Sequence, residues 1–187
     1  MSRAYRIQVS ESVERVIYVE DGVCGGLELL PVLPPARLGE LLALELLSRG
    51  FTKNEKGDLV RDEEDGTRVS IEPSTGSVSV TLSRSKDVSL TKERTTRVAE
   101  ETEALQRDAA AKALRGELEN ELKETERTLG KEAAESLEKR LHALRPELAA
   151  ISNRVTSTAL KEKAASLGNI QEMSEDEAGN LTIRVRL

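Results

Sequence analysis

The sequence predicts an α+β chain: a small antiparallel β-rich head with one buried helix, plus a long antiparallel helical hairpin, a coiled-coil-like arm. Three observations carry this. Apolar and polar residues alternate along much of the N-terminal half and again at the C-terminus, the period of a strand with one covered face. Residues 94–167 hold one proline and two glycines among abundant Ala, Leu, Glu, Lys and Arg, which is helix by propensity. Aromatic residues make up 2%, so Leu, Val, Ile and Ala must fill the interior, and these suffice where a helix packs. The expected organisation is a head over 1–93, an arm over 94–168, and C-terminal strands over 169–187 that return to the head.

Residues 3–9 and 13–19 read as two strands joined near Ser10–Ser12. Tyr5, Ile7 and Val9 share one face, followed by Val13 and Ile17, with Val16 and Val19 offset. Asp21-Gly22 and Gly25-Gly26 are turn signals. Pro34-Pro35 ends the extended segment and suits the first turn of a helix over 35–49. There Leu38, Leu41, Leu42, Leu44, Leu46 and Leu47 surround the axis, the pattern of a buried helix. Gly50 stands at the left-handed position after the helix, and Phe51 supplies the hydrophobic contact that accompanies it.

Leu59–Arg61 pairs with Phe51–Lys53 across a turn at Gly57-Asp58. Thr67–Glu72 and Ser77–Leu82 form the clearest hairpin, with Pro73-Ser74-Thr75-Gly76 as the turn. Ser70, Ser79, Thr81 and Ser83 give it one wet face.

In the arm, Leu122, Ala133, Leu144 and Val155 recur every eleven residues, a period that keeps an apolar seam nearly straight. Gly130 lies close to the midpoint, so a hairpin tip is expected near Thr128–Lys131, with Pro146 a kink or restart in the second limb. Past Gly168, Ile170–Met173 is a weak strand. Leu181, Ile183, Val185 and Leu187 line one face of a clear one. The run LLSRGFTKNEKGDLV and the run AASLGNIQEMSEDEAGNLTI share one order: helix, glycine, strand, turn, strand.

Net charge is −6, divided as −4 over 1–93, zero over 94–168 and −2 over 169–187. No segment carries the basic patch that nucleic-acid binding requires, nor the aromatic platforms of single-strand binders. The N-terminus lacks an apolar signal region. The longest apolar run, around Leu41–Leu47, is interrupted by glutamates and falls far short of the ~20 residues of a membrane span. The expectation is a soluble, cytoplasmic protein with no membrane or nucleic-acid partner.

Chemistry-bearing residues are sparse. Cys24 is the one cysteine and His142 the one histidine. They sit on different expected elements, head and arm, so a Cys–His nucleophilic pair is not expected. Arg61-Asp62-Glu63-Glu64-Asp65-Gly66, with Glu72, partly imitates a calcium loop. An arginine occupies the first ligand position, however, and strands rather than helices flank it. Ser174-Glu175-Asp176-Glu177 reads as a solvated turn. Gly22 and Gly25-Gly26 lack the following Lys-Ser/Thr of a phosphate cradle. The expectation is no catalytic, cofactor-binding or metal site, hence not an enzyme. The residues best placed to meet a protein partner are Leu181, Ile183 and Val185 on the last strand, and Glu126, Arg127 and Lys131 by the expected tip.

Three stretches, RAYRIQVSESVERVIYVEDGV, LELLPVLPPARLGELLALELLSRGF and NRVTSTALKEKAASLGNIQEMSEDEAGNLTIRVRL, resemble the X-domain proteins of bacterial FtsH ternary systems. The resemblance implies a place beside AAA+ ATPases (FtsH-like and MoxR-like) and a von Willebrand A-type protein, in NTP-dependent conflict or stress systems. It implies no catalytic residues. The expected role is a non-enzymatic adaptor or assembly component. The alternatives are a structural homodimer joined through the Leu/Ala seam of the arm, and an enzyme with a cryptic site in the head that acts through the acidic turns, with Asp62–Asp65 the stretch to change in testing it.

Overall fold

The computed structural model describes residues 4–175 and 181–186. It is α+β, as expected: a five-stranded antiparallel sheet and one long helix dominate it. The elements in order are β1 (Ala4–Gly26), α1 (Pro35–Ser48), β2 (Thr52–Lys53), β3 (Leu59–Asp62), β4 (Thr67–Glu72), β5 (Ser77–Ala99), a short 3-10 turn, α2 (Glu103–Leu167), β6 (Asn169–Glu175) and β7 (Leu181–Arg186). The main sheet has the order β1-β5-β4-β3-β2, and β6 and β7 form a sheet of their own. The chain divides into two compact units, 1–20 with 83–135 and 21–82 with 136–187, which cut across the boundaries drawn from the sequence.

Two expectations about element boundaries are corrected. The N-terminal strands are one strand: β1 runs unbroken through Ser10–Ser12 and through Asp21-Gly22. Ile7, Val9 and Ile17 are buried on one face, with Val13 and Val19 partly buried in phase, while Val16 faces out at 62% exposure. Serines are tolerated here because each sits on the wet or marginal face of a strand whose odd positions carry the packing. Likewise β5 does not end at Leu82 but continues to Ala99, past the expected start of the arm at residue 94. Val88 and Val98 are its buried positions there.

The larger correction concerns the arm. No hairpin tip forms at Thr128–Lys131: α2 is a single helix from Glu103 to Leu167. An isolated glycine costs a helix only about 1 kcal/mol against alanine, too little to break one whose apolar stripe is covered on both sides of it. A Cβ at Gly130 would lie 3.9 Å from Val19 Cγ1, ordinary van der Waals contact, so the position has room for a methyl group. Pro146 is likewise inside the helix, not at a restart. It and His142 are both exposed, so the His142 carbonyl that loses its helical donor can turn to water.

In the first unit the helix stripe meets the ribbon of β1 and β5. Ala110 and Leu114 pack with Ile7, Val9 and Val98. Leu122 and Leu129 pack with Ile17 and Val88. The eleven-residue seam is real, with Leu122, Ala133, Leu144 and Val155 all buried, at 5%, 0%, 2% and 1% exposure. In this unit it faces the chain's own strands. Each fully buried leucine contributes about 1.5–3 kcal/mol.

In the second unit the β4–β5 hairpin has the expected register, with Val69 opposite Val80 and Ile71 opposite Val78. Its turn closes through Gly76, at φ +72°, whose N–H donates to the Glu72 carbonyl at 2.8 Å. β2 and β3 pair as expected, Thr52 opposite Val60 and Lys53 opposite Leu59. Helix α1 ends in the expected left-handed glycine: Gly50 has φ +83°, and the Gly50 and Phe51 N–H groups donate to the Leu47 and Leu46 carbonyls. Phe51 is buried.

Yet α1 is not apolar-covered all round. Leu38, Leu41, Leu42 and Leu46 are buried, whereas Leu44 and Leu47 are 62% and 49% exposed. The helix covers one side of the small strands, and its opposite face lies open among the described residues. Both runs noted for their shared order become a helix, a glycine and an antiparallel strand pair, β2–β3 and β6–β7.

If Gly130 lies within a helix that has room for a methyl group, Gly130→Ala should raise stability by about 1 kcal/mol in urea unfolding. Gly39→Ala should lower it, because its Cβ would stand 2.9 Å from the Pro73 carbonyl oxygen.

Candidate functional site

The acidic turn that imitates a calcium loop becomes part of an ion-pair cluster in the second unit. Strand alternation places Arg61 on the same side of β3 as buried Leu59, and Asp62 on the other. Arg61 donates from Nη1 and Nη2 to the two oxygens of Glu147 on α2, at 2.7 and 2.9 Å. Its Nε donates to Glu63 Oε1 at 2.9 Å. Arg140, also on α2, reaches the same Glu63 oxygen at 2.7 Å. The Arg61 guanidinium lies over the Phe51 ring, 4.6 Å from its centroid. A planar fork of donors can grip a carboxylate at both oxygens and stack on a ring at once, which lysine cannot do.

The electrostatics follow this geometry. The paired donation from Arg61 holds the Glu147 carboxyl below its ordinary range, against the opposing effect of partial burial. Arg61 is itself raised, first by its hydrogen bonds to Glu147. Burial pushes Asp65 up, but hydrogen bonding from Thr67, whose N–H donates to Oδ1 at 2.9 Å, together with the charge of Arg140 and a backbone hydrogen bond, leaves Asp65 below its usual value. Asp62 is lowered by Arg68, which stands directly opposite it across the β3–β4 pair and binds both its oxygens at 2.6 and 3.0 Å.

These carboxylates are therefore engaged by arginines and backbone donors. Among the described residues, no group of three His, Cys, Asp or Glu could hold a metal ion. The cluster ties α2 to the strands of its unit. A second tie is the bidentate pair of Arg37 on α1 with Glu162 on α2, at 2.8 and 3.1 Å, exposed and correspondingly weak.

Beside α1 lies a concavity of about 550 Å³, of the size that takes a small ligand or a side chain. Pro35, Ala36, Ala43 and Leu47 line it from the helix, the ends of β2 and β4 supply Lys53 and Glu72, and the turn after β2 supplies Lys56 and Asp58. Its walls are mostly apolar, with these charged residues among them.

The residues singled out from the sequence fall elsewhere. Cys24 is exposed on β1, its Sγ 3.7 Å from Ser79 Oγ. His142 is exposed on α2 and its side chain makes no hydrogen bond or ion pair among the described residues. Glu126, Arg127 and Lys131 are exposed, not at a tip but within α2, where Arg127 pairs with Glu124 at 2.8 Å. Ile183 is half-buried on β7, opposite Met173 of β6. The side chains of Leu181 and Val185 lie outside the described residues, as do Asp176 and Glu177 of the second acidic turn. The two sets fall in different units.

What sequence reasoning missed is the partner of Arg61. The signal was present, since an arginine at the first position of a would-be calcium loop argues for carboxylate neighbours. Nothing in the sequence said that one of them would be Glu147.

The charged groups thus describe an α+β chain built to hold a helix on a sheet. It belongs to the FtsH ternary system domain X5 family, whose model matches residues 1–187, the whole chain. The resemblance carried by its two ends is borne out. No curated protein and no solved structure matches the chain. The family description ties the protein to an FtsH ternary system, a system of more than one component. Among the described residues, no helix is long and apolar enough to cross a membrane.

Glu147 keeps its charge in the fold to lower pH than in the unfolded chain. Its contribution is complete above the ordinary carboxylate range and is lost as pH falls through its depressed folded value. Glu147→Gln should cost about 1.5–3 kcal/mol at neutral pH. It should also flatten the acid limb of stability against pH, measured by urea titration.

Proposed function

We propose that this protein is a non-enzymatic adaptor or assembly component of its FtsH ternary system, working beside an AAA+ ATPase of the FtsH-like or MoxR-like kind and a von Willebrand A-type protein. The observation that carries the reading is the family match over the entire chain, because it ties the protein to a system of several parts. The state of the acidic turn supports it. Asp62, Glu63 and Asp65, which an enzymatic reading would need as free acids or bases, are held by Arg68, by Arg61 with Arg140, and by Thr67. A carboxylate whose oxygens are occupied by guanidinium or hydroxyl and amide donors is poorly placed to take or give a proton to a substrate.

The proposed contact surface is the solvent face of α2 around Glu126, Arg127 and Lys131, all exposed. These residues mix both signs on a rigid helix, the kind of surface that gives partner selectivity more than raw affinity. The concavity beside α1 offers a second, apolar foothold for a partner's side chain.

The test is reconstitution of the purified chain with the ATPases and the von Willebrand A-type protein of its own system. The expected result is a complex that persists without ATP. It should be lost in the triple variant Glu126→Lys, Arg127→Glu, Lys131→Glu, with unfolding midpoints unchanged. NTP hydrolysis by the chain alone, abolished by neutralising Asp62–Asp65 in a folded variant, would reverse the reading in favour of an enzyme.

A further inference from the structure

Strand β1 stands at the end of the five-strand order, with β5 its one neighbour among the described residues. The edge along its other side is therefore unpaired over residues 4–20 of the first unit. Native proteins commonly block such edges, and inward-pointing charges are one device. β1 has two inward charges, Glu11 and Arg15, but of opposite sign and placed symmetrically about Val13.

The inward face of β1 reads Ile7, Val9, Glu11, Val13, Arg15, Ile17, Val19. Laid antiparallel against a second copy and centred on Val13, Val9 meets Ile17, Ile7 meets Val19, and Glu11 meets Arg15, each contact occurring twice. On the outward face Arg6 meets Glu20 in the same register. Opposite charges and β-branched residues directly across a strand pair stabilise it, and like charges oppose it. Neighbouring registers lose this. Centring on Glu11 or on Arg15 sets like charges face to face, and centring on Ser12 or Glu14 sets Arg15 against a valine. The strand is self-complementary in one register.

The structure around Val13 fits an occupant. A cavity of about 280 Å³ opens between β1 and α2 there, bordered by Val13, Arg15, Leu118 and Leu122. The side chains of Arg6 and Arg15 are exposed and make no hydrogen bond or ion pair among the described residues. Glu11 accepts from Arg115 Nη2 at Oε1, at 3.0 Å, and its other oxygen has no side-chain partner among the described residues.

We propose that two copies of this chain associate edge to edge through β1, antiparallel about a dyad at Val13, in an isologous dimer. The Val13 side chains of the two copies close the cavity mouth, and each Arg15 pairs with Glu11 of the other copy. This is distinct from a dimer through the α2 seam, whose Leu122 and Leu129 are packed on Ile17 and Val88 of the same chain.

Sedimentation equilibrium of the full chain over a concentration series tests it. A reversible dimer is expected. Arg15→Glu, at an exposed position without an intrachain partner, should weaken it by about tenfold or more while leaving far-ultraviolet circular dichroism unchanged. Arg6→Glu should weaken it too, and Arg6→Glu with Glu20→Arg should restore it, since only the Val13-centred register sets these positions opposite each other. A wild-type chain that stays monomeric throughout would overturn the proposal. So would a dimer indifferent to Arg6 and Arg15.

Discussion

The structure depends on how the inward stripe of α2 is covered. In the first unit the covering surface is the ribbon of β1 and β5, and the lengths match. The strand stretches 4–20 and 83–99 each extend about 55 Å at 3.3 Å per residue. Helix residues 103–135 extend about 50 Å at 1.5 Å per residue. A helix advances less than half as far per residue as a strand, so one strand pair can cover nearly twice its own length in helical sequence. With that ribbon in place the helix has no need to fold back on itself. The eleven-residue seam supports this, since it keeps a straight stripe in line with the strands instead of coiling around a partner helix.

This explains which parts of the sequence were legible. Elements governed by local chemistry were. The β4–β5 hairpin is set by its Pro-Ser-Thr-Gly turn, α1 by the proline at its start and Gly50 at its end, and β2–β3 by the turn at Gly57. The buried seam was legible as a period. What covers it was not, because a period specifies that a stripe is buried and not against what. Gly130 and the Ser10–Ser12 stretch were over-read for a related reason. Both are weak breakers, costing about 1 kcal/mol or less, and the tertiary burial on either side exceeds that. The exposure of Leu44 and Leu47 was hidden too, since composition alone cannot tell a helix buried all round from one that covers a surface and leaves a greasy back.

The charged cluster shows the same limit. Its acidic half is contiguous in sequence, but its meaning depends on Arg61 meeting Glu147, which lies 86 positions away. Seen alone, the turn suggests a cation site. Seen with both arginines, it is an ion-pair clamp between strand and helix in which Glu63 is engaged by Arg61 and Arg140. That difference supports the proposed non-enzymatic reading, because Asp62, Glu63 and Asp65 are engaged in holding strand and helix together. The interest of the molecule then moves to its surfaces: the solvent side of α2, the apolar concavity by α1, and the free edge of β1.

The central claim is that α2 is continuous through its middle. The most direct measurement is the backbone carbon chemical shifts of Thr128, Leu129, Gly130 and Lys131 in the full chain. The account predicts helical Cα and carbonyl shifts at all of these positions, with no interruption between Glu126 and Ala133. Coil or turn shifts over these residues, with helical values resuming on either side, would contradict it and restore a hairpin.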